Sequence, residues 1–129
     1  MQIRSMMLLG VVMVTVCVTQ AFAEYDQALV SKAMGSNMAN LLAVKKAARE
    51  GNFFLAAEKL MEIAKTIKSL DAVTPLKGAK KDWDRMHKTV IQTIFKTIEA
   101  CGEEDPKKLN TYLNEIDALI QKGHGMFIP

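Results

Sequence analysis

Cysteine is almost missing from this chain, which has two in 129 residues, Cys17 and Cys101. Cys17 sits in an apolar N-terminal run, so a disulfide scaffold is excluded and Cys101 stands alone in the rest of the sequence. Strand signals are scarce as well: β-branched alternation is rare, and no Asn-Gly or Asp-Gly pair marks a hairpin. Nor does charge of one sign dominate. Seventeen Lys+Arg against fourteen Asp+Glu give a net charge of +3, too balanced for a nucleic-acid or anionic-membrane binder. No spacing of His, Cys, Asp and Glu suits zinc, and the Glu-x-x-His pair of di-iron bundles is absent. Ser31 and Ser36 lack a nucleophile-elbow context, and two isolated histidines do not make a triad, so the chain is not expected to be an enzyme.

What is present is hydrophobic residue in helical rhythm, half of the total composition. Arg4 precedes the run Met6 to Val18, which is too short to span a bilayer, and Ala21-Phe22-Ala23 follows as a small-x-small cleavage site. Residues 1–23 therefore read as a cleaved secretory signal peptide, Glu24 as the first mature residue, and residues 24–129 as one exported domain, periplasmic and without a membrane span. Val16 stands before Cys17 where lipid attachment needs a small residue, which argues against acylation.

Four helices are expected. The first runs from Tyr25 to Glu50, with Ala33, Met34, Met38, Leu41, Leu42 and Ala48 near one face and Gly51 as its terminator. A second, Phe53 to Leu70, starts at an Asn52 cap and carries Phe54, Ala57, Leu60, Met61, Ala64 and Ile67 in an apolar stripe facing the core. Pro75 and Gly78 break the chain before a third helix, Lys80 to Ala100, whose stripe of Trp83, Val90, Ile94 and Ile98 extends to Cys101. Cys101 is thus read as a small core hydrophobe, with an intermolecular disulfide as the alternative. Asp105-Pro106 then opens a fourth helix with Leu109, Leu113, Ile116 and Ile120 inward. Short links between amphipathic helices make an all-α antiparallel four-helix bundle the expected architecture.

Three stretches give this bundle a family resemblance. Lys32-Ala33-Met34-Gly35-Ser36-Asn37-Met38 lies on the first helix, Trp83 comes early in the third, and Ile120-Gln121-Lys122-Gly123-His124-Gly125-Met126-Phe127 ends the fourth. In this order they resemble the cytochrome c-prime family of exported bundles across essentially the whole mature chain. That family reads C-x-x-C-H in its last helix, and there the cysteines attach haem while the histidine binds iron. Here Ile120 and Gly123 occupy the cysteine positions, so neither thioether can form.

The resemblance implies His124 as the surviving iron-ligand position. Ser31 stands where low-spin relatives place an axial methionine, with Met34 one turn away. Two readings follow. In one, the protein binds no haem, and a non-catalytic binding or structural protein, for an unknown protein or small apolar ligand, has refilled the cofactor space; Phe53, Phe54, Phe95, Ile120 and Phe127 are the candidates to fill it. In the other, non-covalent haem on His124 serves electron transfer or gas binding. His87, four residues after Trp83, is expected on the solvent shoulder of its helix. For assembly, the resemblance implies a homodimer through the first two helices.

Overall fold

The computed structural model describes residues 25–129, and the expected leader and Cys17 lie outside them. Four α-helices follow one another: α1 Gln27–Arg49, α2 Phe53–Ser69, α3 Lys80–Gly102 and α4 Pro106–Phe127, with one 3₁₀ turn, Leu70–Ala72, after α2. No strand occurs among the described residues. The molecule is all-helical, as a helical bundle requires, and no helix among the described residues is long and apolar enough to cross a membrane.

Local chemistry sets the ends of these helices. The side chains of Asp26, Asn52 and Asp105 accept hydrogen bonds from the backbone N–H groups of Leu29, Leu55 and Lys108, at 3.0, 3.2 and 3.1 Å. Each satisfies a first-turn donor that the helix itself leaves unpaired, worth about 1 kcal/mol. Between α1 and α2, Gly51 takes φ +71°, while Asn52 N–H bonds the Ala47 carbonyl at 2.8 Å. In the turn after α3, Gly102 is still helical, and Glu104 takes the left-handed conformation at φ +54°. The bonds that close that turn, from Glu104 N–H to Cys101 O and from Asp105 N–H to Ala100 O, reach back over Gly102 and place the reversal two residues beyond it.

Two interior clusters lie along the bundle. The larger is aliphatic and joins Val44 and Ala47 of α1, Ala56 and Leu60 of α2, Ile94 and Ala100 of α3, and Leu109 and Ile116 of α4. Cys101 belongs to it, 3% exposed. The smaller cluster is aromatic: Val30 and Ala33 from the start of α1, Leu70 and Val73 after α2, Trp83 near the start of α3 and Phe127 at the end of α4. The aromatic cluster thus gathers the beginnings of α1 and α3 with the ends of α2 and α4, while the aliphatic one joins the later parts of α1 and α3 to the earlier part of α4 and runs along the length of α2.

The buried face of α1 is the expected one only in part: Ala33 is buried, and Met34, Leu41 and Ala48 pack part-buried against the interior. Val30, Ala33, Val44 and Ala47 point inward, while Met38 and Leu42 are exposed. Apolar residues lie on several sides of this helix, so three- and four-residue spacing alone does not choose among them. Helix α1 meets α4 more sparingly than any two consecutive helices meet. Lys45 of α1 reaches Asp117 of α4 at 2.9 Å, an ion pair a third to two-fifths exposed and worth at most about 1 kcal/mol.

Candidate functional site

The end of the molecule that carries His124 is built around Trp83. Its indole N–H donates to the Leu70 carbonyl at 3.1 Å, tying the start of α3 to the end of α2. The Phe127 ring meets the indole edge-on at a centroid distance of 5.3 Å, a favoured aromatic geometry. On its other side Phe127 is wedged against the connection before α3. A Cβ added to Gly78, which has φ +82°, would lie 3.0 Å from the ring, so glycine there serves both the backbone and the ring. Lys77 also bonds the Gly125 carbonyl at 3.1 Å, holding the same connection to the last turns of α4.

The expected ligand residues are distributed around this packed end. His124 and Ser31 are exposed, and Met34 is half-buried against the Trp83 and Phe127 cluster. The His124 side chain makes no hydrogen bond or ion pair among the described residues, though its carbonyl accepts from Ile128 N–H at 3.1 Å. Ile120 is half-buried against the aliphatic cluster, and a Cβ on Gly123 would lie 3.7 Å from Met86. Both positions that hold cysteine in the family motif are thus covered by the protein's own side chains. Trp83 and Phe127 pack against each other at this end, with Met34, Met86 and Met126 part-buried around them.

Of the five residues expected to fill a cofactor space, Phe127 is buried in the aromatic cluster, and Phe53 and Ile120 pack part-buried on the aliphatic cluster. Phe54 and Phe95 do not. They are 85% and 51% exposed, because their positions on α2 and α3 turn them to the outer seam between these helices and away from the core.

His87 also departs from expectation. Its side chain is 12% exposed, not on a solvent shoulder, because the Trp83 ring lies 4.4 Å away and the turn carrying Asp71 folds beside it. Nδ1 is buried without a hydrogen-bond partner, and Asp71 Oδ1, at 3.7 Å, is beyond hydrogen-bond reach. Burial pushes the imidazole below its ordinary value, while the Asp71 carboxylate pulls the other way. The ring is held neutral as a packing partner of the indole.

Among the described residues, no group of three or more His, Cys, Asp or Glu is arranged to hold a metal ion. The surface feature that periodicity missed is the seam between α2 and α3. Met61, Ala64, Ile91 and Phe95 line it beside Lys65 and Lys88, and farther along Phe54, Ala57 and Ile98 continue the apolar strip. Phe54 and Met61, expected inward on the stripe of α2, are exposed along this seam, because the buried face of the helix runs through Ala56, Leu60, Ile63 and Ile67. No family model matches this chain, and neither a curated protein nor a solved structure matches it.

Proposed function

We propose that this chain is a haem-free bundle of the cytochrome c-prime type, with antiparallel helices, exported to the periplasm and acting without catalysis by binding a partner or as a structural protein. A homodimer through α1 and α2 is its proposed assembly. The observation that carries the haem-free reading is the packing of Phe127 between Trp83 and Gly78, beside an exposed His124. An antiparallel course is supported by the gathering of alternate helix ends in the aromatic cluster. Opening a porphyrin-sized space there would cost the indole its contact with Phe127, and cavities cost roughly 24 cal/mol per Å³.

Titration with haemin tests the reading. The chain, expressed from its full coding sequence and recovered as the cell leaves it, should show no saturable Soret change, and His124→Ala should behave identically. A saturable Soret band that His124→Ala abolishes would replace this reading with that of a haem protein ligated by His124.

A further inference from the structure

The outer seam between α2 and α3 is apolar along its middle and charged differently at its two ends. From Phe54 to Ala64 it runs along three turns of α2, roughly 15 Å at 1.5 Å per residue. The opposite wall is Ile91, Phe95 and Ile98 of α3. Phe54, Met61 and Phe95 are the large residues it leaves in solvent. Exposed apolar side chains scattered singly need no explanation, but a lined strip of this kind is the form of an interaction surface. Phenylalanine and methionine suit such a surface, since rings supply area at little entropic cost and the thioether adapts to the partner.

Charge identifies the occupant. At one end Asp71 is paired with Lys68 at 2.6 Å and Asp84 with Lys80 at 2.8 Å, whereas Lys65 and Lys88 make no ion pair among the described residues. That end is left positive. At the other end the charged residue that lines the groove is Glu104, which makes no ion pair among the described residues, so the lining there is negative. A helix commonly carries acidic residues in its first turn and basic residues in its last, because these complement its own dipole. Laid in the seam with its first turn at Lys65 and Lys88, such a helix meets opposite charge at both ends and runs parallel to α3.

We propose that the seam between α2 and α3 is the docking groove for an amphipathic helix of a partner protein, whose acidic first turn lies at Lys65 and Lys88 and whose apolar stripe packs on Phe54, Met61 and Phe95. The mode is helix in groove, with anchors at i, i+3, i+4 and i+7 along the partner. This gives the binding role proposed above a place and a chemistry. It takes up that role and not the haem-free premise, so haemin titration and peptide titration fail separately.

The test uses two synthetic amphipathic peptides with one leucine stripe, the first carrying glutamates in its first turn and lysines in its last, the second with these charges exchanged. Binding to the full chain is read by fluorescence anisotropy, and thermal melting by circular dichroism confirms that each variant folds. The first peptide should bind saturably and the second at least tenfold more weakly. Phe95→Ala should weaken the first at least tenfold, and Lys65→Glu with Lys88→Glu should exchange the preference between the peptides. Equal binding of both peptides, unchanged in the lysine variants, overturns the proposal. So does a dimer in sedimentation equilibrium that Phe95→Ala converts to monomer, which would assign the groove to a second copy of this chain.

Discussion

The end of the bundle around Cys101 is packed from alanine, valine, leucine and isoleucine on all four helices, whereas the end around His124 depends on two aromatic rings, a non-helical connection and the last turns of the chain. In the first, many small contacts share the work, and any one residue has several equivalents. In the second, single residues perform several tasks at once. Trp83 fills the interior, satisfies the Leu70 carbonyl and covers His87. The aromatic end is therefore where one substitution has the widest consequences.

The sharpest way to break this contrast is to truncate one residue from each cluster. Trp83→Ala should cost about 3–5 kcal/mol, and Leu60→Ala about 2–5 kcal/mol. Only the first also removes a side-chain hydrogen bond, the indole's to the Leu70 carbonyl, which Val73 N–H then holds alone at 3.0 Å, so urea unfolding should place Trp83→Ala as the greater loss. A Trp83→Ala midpoint above that of Leu60→Ala would remove the distinction.

A smaller effect compares the two left-handed glycines. Gly51, at the aliphatic end, has open space where a Cβ would go, so Gly51→Ala should lose only the backbone penalty, about 1–2 kcal/mol. Gly78→Ala suffers the same penalty and also drives a methyl into Phe127 and the Met126 carbonyl, at 3.0 and 3.1 Å. Its melting temperature should fall further than that of Gly51→Ala. Equal shifts would mean that Phe127 moves aside freely and is not wedged.

The smallest effect vanishes at neutral pH. Since burial lowers the folded-state pKa of His87, the unfolded chain takes up the proton first as pH falls below about 6.5. The contribution of the neutral ring is thus complete above that pH and is lost as pH falls from there through the lowered folded value. Urea midpoints between pH 8 and pH 5 should decline less for His87→Gln than for the parent chain, and more for Asp71→Asn, which removes the opposing carboxylate. Parallel profiles for all three would show that the aromatic end does not sense protonation.

The aliphatic end was the more legible from sequence, for a physical reason. Ala57, Leu60, Ala64 and Ile67 on α2, and Leu109, Leu113 and Ile116 on α4, repeat at helical spacing, and the Asn52 and Asp105 caps announce where those helices begin. Nothing local announces that Phe127 meets Gly78, because that contact joins residues far apart in the chain and depends on how the connection folds. His87 was misplaced on the same account, its cover coming from the turn after α2 and not from its own helix. The haem-ligand positions were assigned by resemblance. His124, Ser31 and Met34 do lie toward one end of the molecule, but only Met34 contributes to its interior.

Cys101 offers a different use of the aliphatic end. It is the one thiol among the described residues, and burial pushes its pKa up, so it is both shielded and kept in its unreactive protonated form. An alkylating reagent reaches it, 3% exposed at the floor of the seam, in moments when Phe53, Phe54, Ala57 and Ile98 part. The trapping rate, divided by that of a free thiol, then counts those moments, which makes the native sequence its own clock for local opening in the half of the bundle that the aromatic rings do not hold.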